Sequence, residues 1–168
     1  MLLTDEYFMQ LALNEAEKAL EKGEIPIGCV IVSNDLVIAK AHNLTETLND
    51  VTAHAEMQAF TAAAEYLGSK YLTDCTMYVT LEPCVMCLGA SYWTHINKIV
   101  YGAADNKHRN NIEKKQILHP KTQIIKGVLE EKCVLLLNKF FEEKRLKYLF
   151  KLVNSQSIYC VNFLCHEV

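Results

Sequence analysis

The stretch Thr76-Met77-Tyr78-Val79-Thr80-Leu81-Glu82-Pro83-Cys84-Val85-Met86-Cys87 decides how this chain is read. Thr76 to Thr80 reads as a strand running into Glu82-Pro83. Pro83 then marks a helix start, because proline is favoured in or just ahead of the first helical turn. Cys84 and Cys87 are three apart, so on that helix they share a face and both sulfurs can reach one metal ion. At a helix N-terminus the macrodipole also favours the thiolate forms that bind metal. Leu88 to Thr94 continues the helix.

Upstream lies Ala53-His54-Ala55-Glu56, where His54 opens an alanine-rich run, Met57 to Leu67, that reads as a second helix. One imidazole and two thiolates fill three corners of a tetrahedral zinc and leave the fourth for water. Glu56, two positions past His54, does not point the same way as a ligand there, but it can lean over the metal's open side. A metal with an open position and an acid beside it activates water, so the chain reads as a hydrolytic enzyme. Two blander readings attach to the same residues. A lone Cys-x-x-Cys is often a redox pair or half of a structural zinc site. A closed structural site, in which zinc only staples the scaffold, needs a fourth ligand, and Cys29, Cys75, His42 and His95 are the candidates.

Around these two segments the elements alternate. Asp5 to Lys22 is an amphipathic helix stopped by Gly23. Ile27 to Val32 and Leu36 to Ala41 are strands joined across Ser33-Asn34-Asp35. Lys98 to Tyr101 is a fourth strand, a short fifth surrounds Ile124-Ile125, and a last helix runs from Glu130 into Phe150. Such alternation implies an α/β fold, a three-layer α/β/α sandwich with helices on both faces of one sheet of about five strands. Residues 1–150 form one domain, and residues 151–168 are a C-terminal extension with no assigned role.

The His54-x-Glu56 and Pro83-Cys84-x-x-Cys87 pair is the signature of the zinc nucleobase deaminases. On it, and on Gly23-Glu24-Ile25-Pro26-Ile27-Gly28, Thr52 to Glu56, Tyr78 to Cys87, Phe140-Phe141 and Lys144-Arg145, the chain resembles the cytidine deaminase-like zinc hydrolases. It is most similar to the bacterial tRNA-specific adenosine deaminases, from about Glu6 to about Tyr148. That resemblance implies a mixed central sheet, one zinc ion per chain held by His54, Cys84 and Cys87, and Glu56 as proton shuttle. It also implies Asn43 and Ala55 at the target base, and a homodimer with pockets near its interface. The implied reaction is hydrolysis of adenosine to inosine at the wobble position of a tRNA anticodon loop, where an unpaired base can be splayed into a pocket. The chain departs from that family in its glycine-free His108-Arg109-Asn110-Asn111 and in Thr47 to Val51, which lacks the common basic contacts. Cys87 to Trp93 resembles bacterial guanine deaminases instead, so a free-base or nucleoside deaminase is the alternative. Tyr92 and Trp93, on an apolar helix, read as core.

Composition agrees with a small enzyme of 168 residues, 51% of them apolar, whose longest apolar runs are too short to cross a membrane. Thr4-Asp5-Glu6 is acidic where a secretory signal would be basic. Seven cysteines argue against a disulfide framework and for a reducing, cytoplasmic setting, with Cys29, Cys75 and Cys133 as core thiols. The net charge of −3 hides an asymmetry. Residues 1–104 hold 5 Lys/Arg against 13 Asp/Glu, whereas residues 105–151 hold 12 against 6. Lys107, Lys144 and Arg145 belong to that basic segment, which reads as a phosphate-contacting surface for RNA.

Overall fold

The computed structural model describes residues 3–105 and 117–154, with side chains as far as residue 151. Its elements are α1 (Asp5–Glu21), β1 (Gly28–Ser33), β2 (Leu36–His42), α2 (Ala55–Leu67), β3 (Cys75–Leu81), α3 (Val85–Thr94), β4 (Lys98–Ala103), β5 (Gln123–Lys126) and α4 (Glu130–Asn154). Every strand and helix expected from the sequence is present, with ends displaced by a few residues.

The local signals explain the boundaries. Thr4 caps α1 by accepting the Tyr7 N–H at 3.3 Å, and Asp5 and Glu6 stand in its positive first turn. Asn34 and Asp35 both take positive φ, 50° and 61°, which is the two-residue hairpin geometry whose twist matches the flanking strands. Gly68 closes α2 in the left-handed conformation. The last helix does not stop at the expected boundary of residue 150 but continues through Lys151 to Asn154.

The five strands lie in the order β2-β1-β3-β4-β5. β1 is antiparallel to β2 and to β3, while β3, β4 and β5 run parallel, so the sheet is mixed. Strand alternation divides its side chains between two cores. Cys29, Ile31, Met77, Val79 and Ile99 pack with Ala55, Ala59, Phe60, Ala63 and Leu88 of α2 and α3 on one face. Val30, Val32, Tyr78 and Val100 pack with Phe8, Met9, Ala12, Leu13 and Cys133 of α1 and α4 on the other. This is the three-layer sandwich.

Two consequences follow for the site. The strand directions put the C-terminal ends of β2, β3 and β4 and the N-terminal end of β1 at the same end of the sheet, with Gly28 opposite His42 and Leu81 opposite Ala103. The segments that carry Asn43, His54 and Glu56, and Cys84 and Cys87, leave the sheet there. The expectation that Tyr92 and Trp93 are core is wrong. Trp93 is 75% exposed, because Cys87, Leu88 and Ser91 already occupy the buried face of α3.

Candidate metal centre and active site

Two helices begin at this end of the sheet, and each begins with an unusual residue. His54 is the N-cap of α2 and Cys84 the N-cap of α3, and neither side chain makes a capping hydrogen bond. The sequence reading put both residues inside the helices; they stand one step before them. Side chains at N-caps ordinarily accept a backbone N–H of the first turn. Here they turn towards each other instead. His54 Nδ1 lies 3.7 Å from Cys84 Sγ and 3.5 Å from Cys87 Sγ, and the two sulfurs are 3.6 Å apart. Corners of a tetrahedron with bonds of about 2.3 Å to sulfur and 2.0–2.1 Å to nitrogen lie roughly 3.5–3.8 Å apart. The three atoms therefore fit one zinc ion without rearrangement.

The electrostatics suit a cation. Hydrogen bonding from Cys87, supported by His54, holds the Cys84 thiol down at about 4, against burial. Cys87 is pushed up by its neighbour Cys84 and by burial. Contact with Cys84 raises His54, opposed by burial. Among the described residues, His54, Cys84 and Cys87 are the only group of metal-ligating side chains that converge in this way. The candidates for a fourth ligand lie elsewhere. His42 is tied by Nδ1 to Glu15 at 3.1 Å and by Nε2 to Lys22 at 2.9 Å. His95 is stacked between the rings of Tyr71 and His119. Cys75 is buried and raised mainly by that burial. Cys29 is kept protonated by burial and by the charge of Glu56.

Glu56 occupies the first turn of α2 and is 3% exposed. Its Oε2 is the only described buried side-chain oxygen or nitrogen with no hydrogen-bond partner. Burial raises its carboxyl, while its own backbone N–H and the neighbouring His54 draw it back. A buried carboxylate oxygen left idle beside three potential ligands is the signature of a group kept for something absent from the chain itself.

Asn43 follows β2 directly, and the loop after it is closed against the start of α2. The Leu44 N–H donates to Ala53 O at 3.1 Å, and Gln58 Nε2 donates to both His42 O and Ala53 O. Ala55, the first residue of α2, is fully buried. Lys144 and Arg145 are exposed on α4, with Lys144 Nζ 5.2 Å above the Phe140 ring, and share no described contact with the cluster. Lys107 and the glycine-free 108–111 lie outside the described residues. Sequence reasoning assigned no role to Glu24, which is 0% exposed and binds the Asn43–Thr47 loop. An acidic residue set just before Ile25-Pro26-Ile27 was the available signal, since a carboxylate among apolar residues needs donors.

A mixed sheet covered on both faces, with a three-ligand cluster and a buried carboxylate whose Oε2 has no hydrogen-bond partner, is the cytidine deaminase-like class of α/β fold. The sequence profile of the cytidine and deoxycytidylate deaminase zinc-binding region matches residues 3–103. The chain belongs to that family. A tRNA-specific adenosine deaminase of Bacillus subtilis (strain 168) is 45% identical over 149 residues, 85% of this chain and 92% of the relative. A structure solved in a study of A-to-I editing by tRNA:A34 deaminases at the wobble position superposes with a TM-score of 0.73 at 39% identity, covering 78% of this chain and 99% of the other. The guanine deaminase of Bacillus subtilis is 40% identical with a TM-score of 0.58, covering 61% of this chain and 66% of its own.

Proposed function

We propose that this protein hydrolyses adenosine to inosine at the wobble position of a tRNA anticodon loop. The observation that carries the chemistry is Glu56, buried and idle at Oε2 beside three converging ligand atoms. The substrate is supported by the near full-length similarity to a relative named as a tRNA-specific adenosine deaminase. Similarity to the guanine deaminase covers less of both chains.

His54 Nδ1, Cys84 Sγ and Cys87 Sγ would hold one zinc ion per chain, and a bound zinc lowers the pKa of water towards about 7. Glu56 takes one proton from the attacking water and passes it to the ring nitrogen beside C6. It then takes the remaining proton from the new C6 hydroxyl and gives it to the amino group, which leaves as ammonia as the C6–N bond breaks and the C6 carbonyl forms. General acid–base work of this kind is worth about 10²–10⁴-fold. Burial of Glu56 and Ala55 excludes bulk water from that exchange. Asn43 contacts the base, and Lys107, Lys144 and Arg145 meet phosphates flanking it. The working form is a homodimer, supported by Val85, Tyr92 and Trp93, which lie exposed along α3. Its setting is the cytoplasm, in keeping with Cys29, Cys75, Cys84, Cys87 and Cys133 standing as free thiols. Among the described residues no helix is long and apolar enough to cross a membrane.

The test is ammonia release from free guanine, adenosine and an anticodon stem-loop, measured side by side. Turnover confined to the stem-loop supports the reading. Brisk turnover of guanine with an untouched stem-loop replaces it with a free-base deaminase.

A further inference from the structure

The Glu24 carboxylate sits at the entrance to β1, sealed from solvent, and four donors converge on it. Oε1 accepts the Thr47 N–H at 2.7 Å. Oε2 accepts the Glu46 N–H at 3.2 Å, the Asn43 amide at 3.2 Å and the Thr45 hydroxyl at 3.4 Å. Asn43 Nδ2 also donates to Thr45 Oγ1 at 3.0 Å. An ionised carboxylate only accepts, so the atom of Asn43 that faces it has to be the nitrogen. The amide group then has no rotational freedom left in its chemistry. Both N–H bonds are committed, one to Glu24 and one to Thr45. Its oxygen has no described partner and is not among the sealed atoms.

We infer that Glu24 is a positioning residue that locks Asn43 with its amide oxygen turned to the substrate, so that the site reads a hydrogen-bond donor there. This rests on the proposed role of Asn43 at the substrate and adds the polarity of that contact. The ring nitrogens N3 and N7 of adenine are acceptors and give such an oxygen nothing to bind. The donors on a target adenosine within an RNA chain are its amino group and its 2′-hydroxyl. Glu24 thus acts on selectivity through Asn43, without touching the substrate.

The experiment is a polarity swap, with kcat and KM measured on whichever of the anticodon stem-loop or free guanine the unmodified protein deaminates. Failure on the stem-loop would defeat the tRNA reading alone, and the swap would still be decided on guanine. Asn43→Asp places two carboxylates face to face, and KM should rise about 30-fold or more, with a lower melting temperature. Glu24→Gln, Asn43→Asp together restore one donor and one acceptor between these two side chains while keeping an oxygen outward, at the cost of the acceptor of the Glu46 N–H. The double variant should recover KM to within about tenfold of the parent and regain part of the melting temperature lost in Asn43→Asp. A merely structural Glu24 would show the stability recovery without the KM recovery, and that result overturns the inference. A second arm needs no change at Glu24. On the stem-loop, the losses from Asn43→Ala and from 7-deaza- or 3-deaza-adenosine at the target should multiply, because different contacts are removed. If a deaza substitution that slows the parent has no further effect in Asn43→Ala, Asn43 donates to that nitrogen and the assigned polarity is wrong.

Discussion

The residues that carry the chemistry occupy positions where a different residue would serve folding better. His54 and Cys84 hold N-cap positions without capping, and Glu56 is buried with an idle oxygen. This arrangement separates metal binding from helix stability. Serine at position 84 could accept the N–H of residue 87 and is worth about 0.5–2 kcal/mol at an N-cap. Cys84→Ser should therefore melt no lower than the parent once both have been stripped with a chelator. In the presence of zinc it should melt lower and bind well under one equivalent by atomic absorption. Stoichiometric zinc retained in Cys84→Ser, Cys87→Ser would remove these residues from the ligand set. The ligands were legible in the sequence because cysteine and histidine at these spacings have few other uses. Glu24 was not legible in the same way. Its partners come from Asn43, Thr45, Glu46 and Thr47, a loop beyond a hairpin, and nothing in local spacing brings them together.

At the scale of elements, alternation of apolar residues and turn residues was enough to find five strands and four helices. Exposure was harder to read. α3 carries no charged residue and apolar residues on all sides, so its sequence gives no inward face, and only packing against the sheet shows that Cys87, Leu88 and Ser91 point in and Trp93 out. The sheet also sets one close approach. Gly28 lies so near α1 that a methyl group there would overlap Ala12 O and Ala16 N. Gly28→Ala should force α1 away from β1 and destabilise the protein by about 1–3 kcal/mol, read as a lower urea midpoint at unchanged slope. The loop after β2 has a pH dependence of its own. Burial alone would raise Glu24, but N–H groups of Thr47 and Glu46 and the Thr45 hydroxyl outweigh it and hold the carboxyl below its ordinary value. The folded pKa is depressed, so the unfolded chain takes up the proton first on acidification. This stabilisation is present above about pH 4.5 and is lost as pH falls through the folded value. Glu24→Gln should accordingly flatten the acid limb of stability against pH, and an unaltered limb would show that the carboxylate is not ionised in that network.

At the scale of the molecule, the chain joins an acidic half that holds the cluster to a basic segment that includes α4. If Lys144 and Arg145 meet phosphates, neutralising both should weaken binding to the stem-loop and reduce the slope of log K against log salt by about 1–2. An unchanged slope would make that part of α4 an ordinary solvated surface. Likewise, Trp93→Glu should shift the protein towards monomer in analytical ultracentrifugation if the exposed face of α3 is the dimer contact. The central claim is that three ligands leave the cation open while Glu56 stays free to move protons. The most direct measurement compares zinc content and inosine formation in the parent and in Glu56→Gln on one anticodon stem-loop. The account predicts one zinc per chain in both proteins and a rate lower by at least about 10²-fold in the variant. Loss of zinc from Glu56→Gln would make Glu56 a ligand and the site closed, contradicting the account.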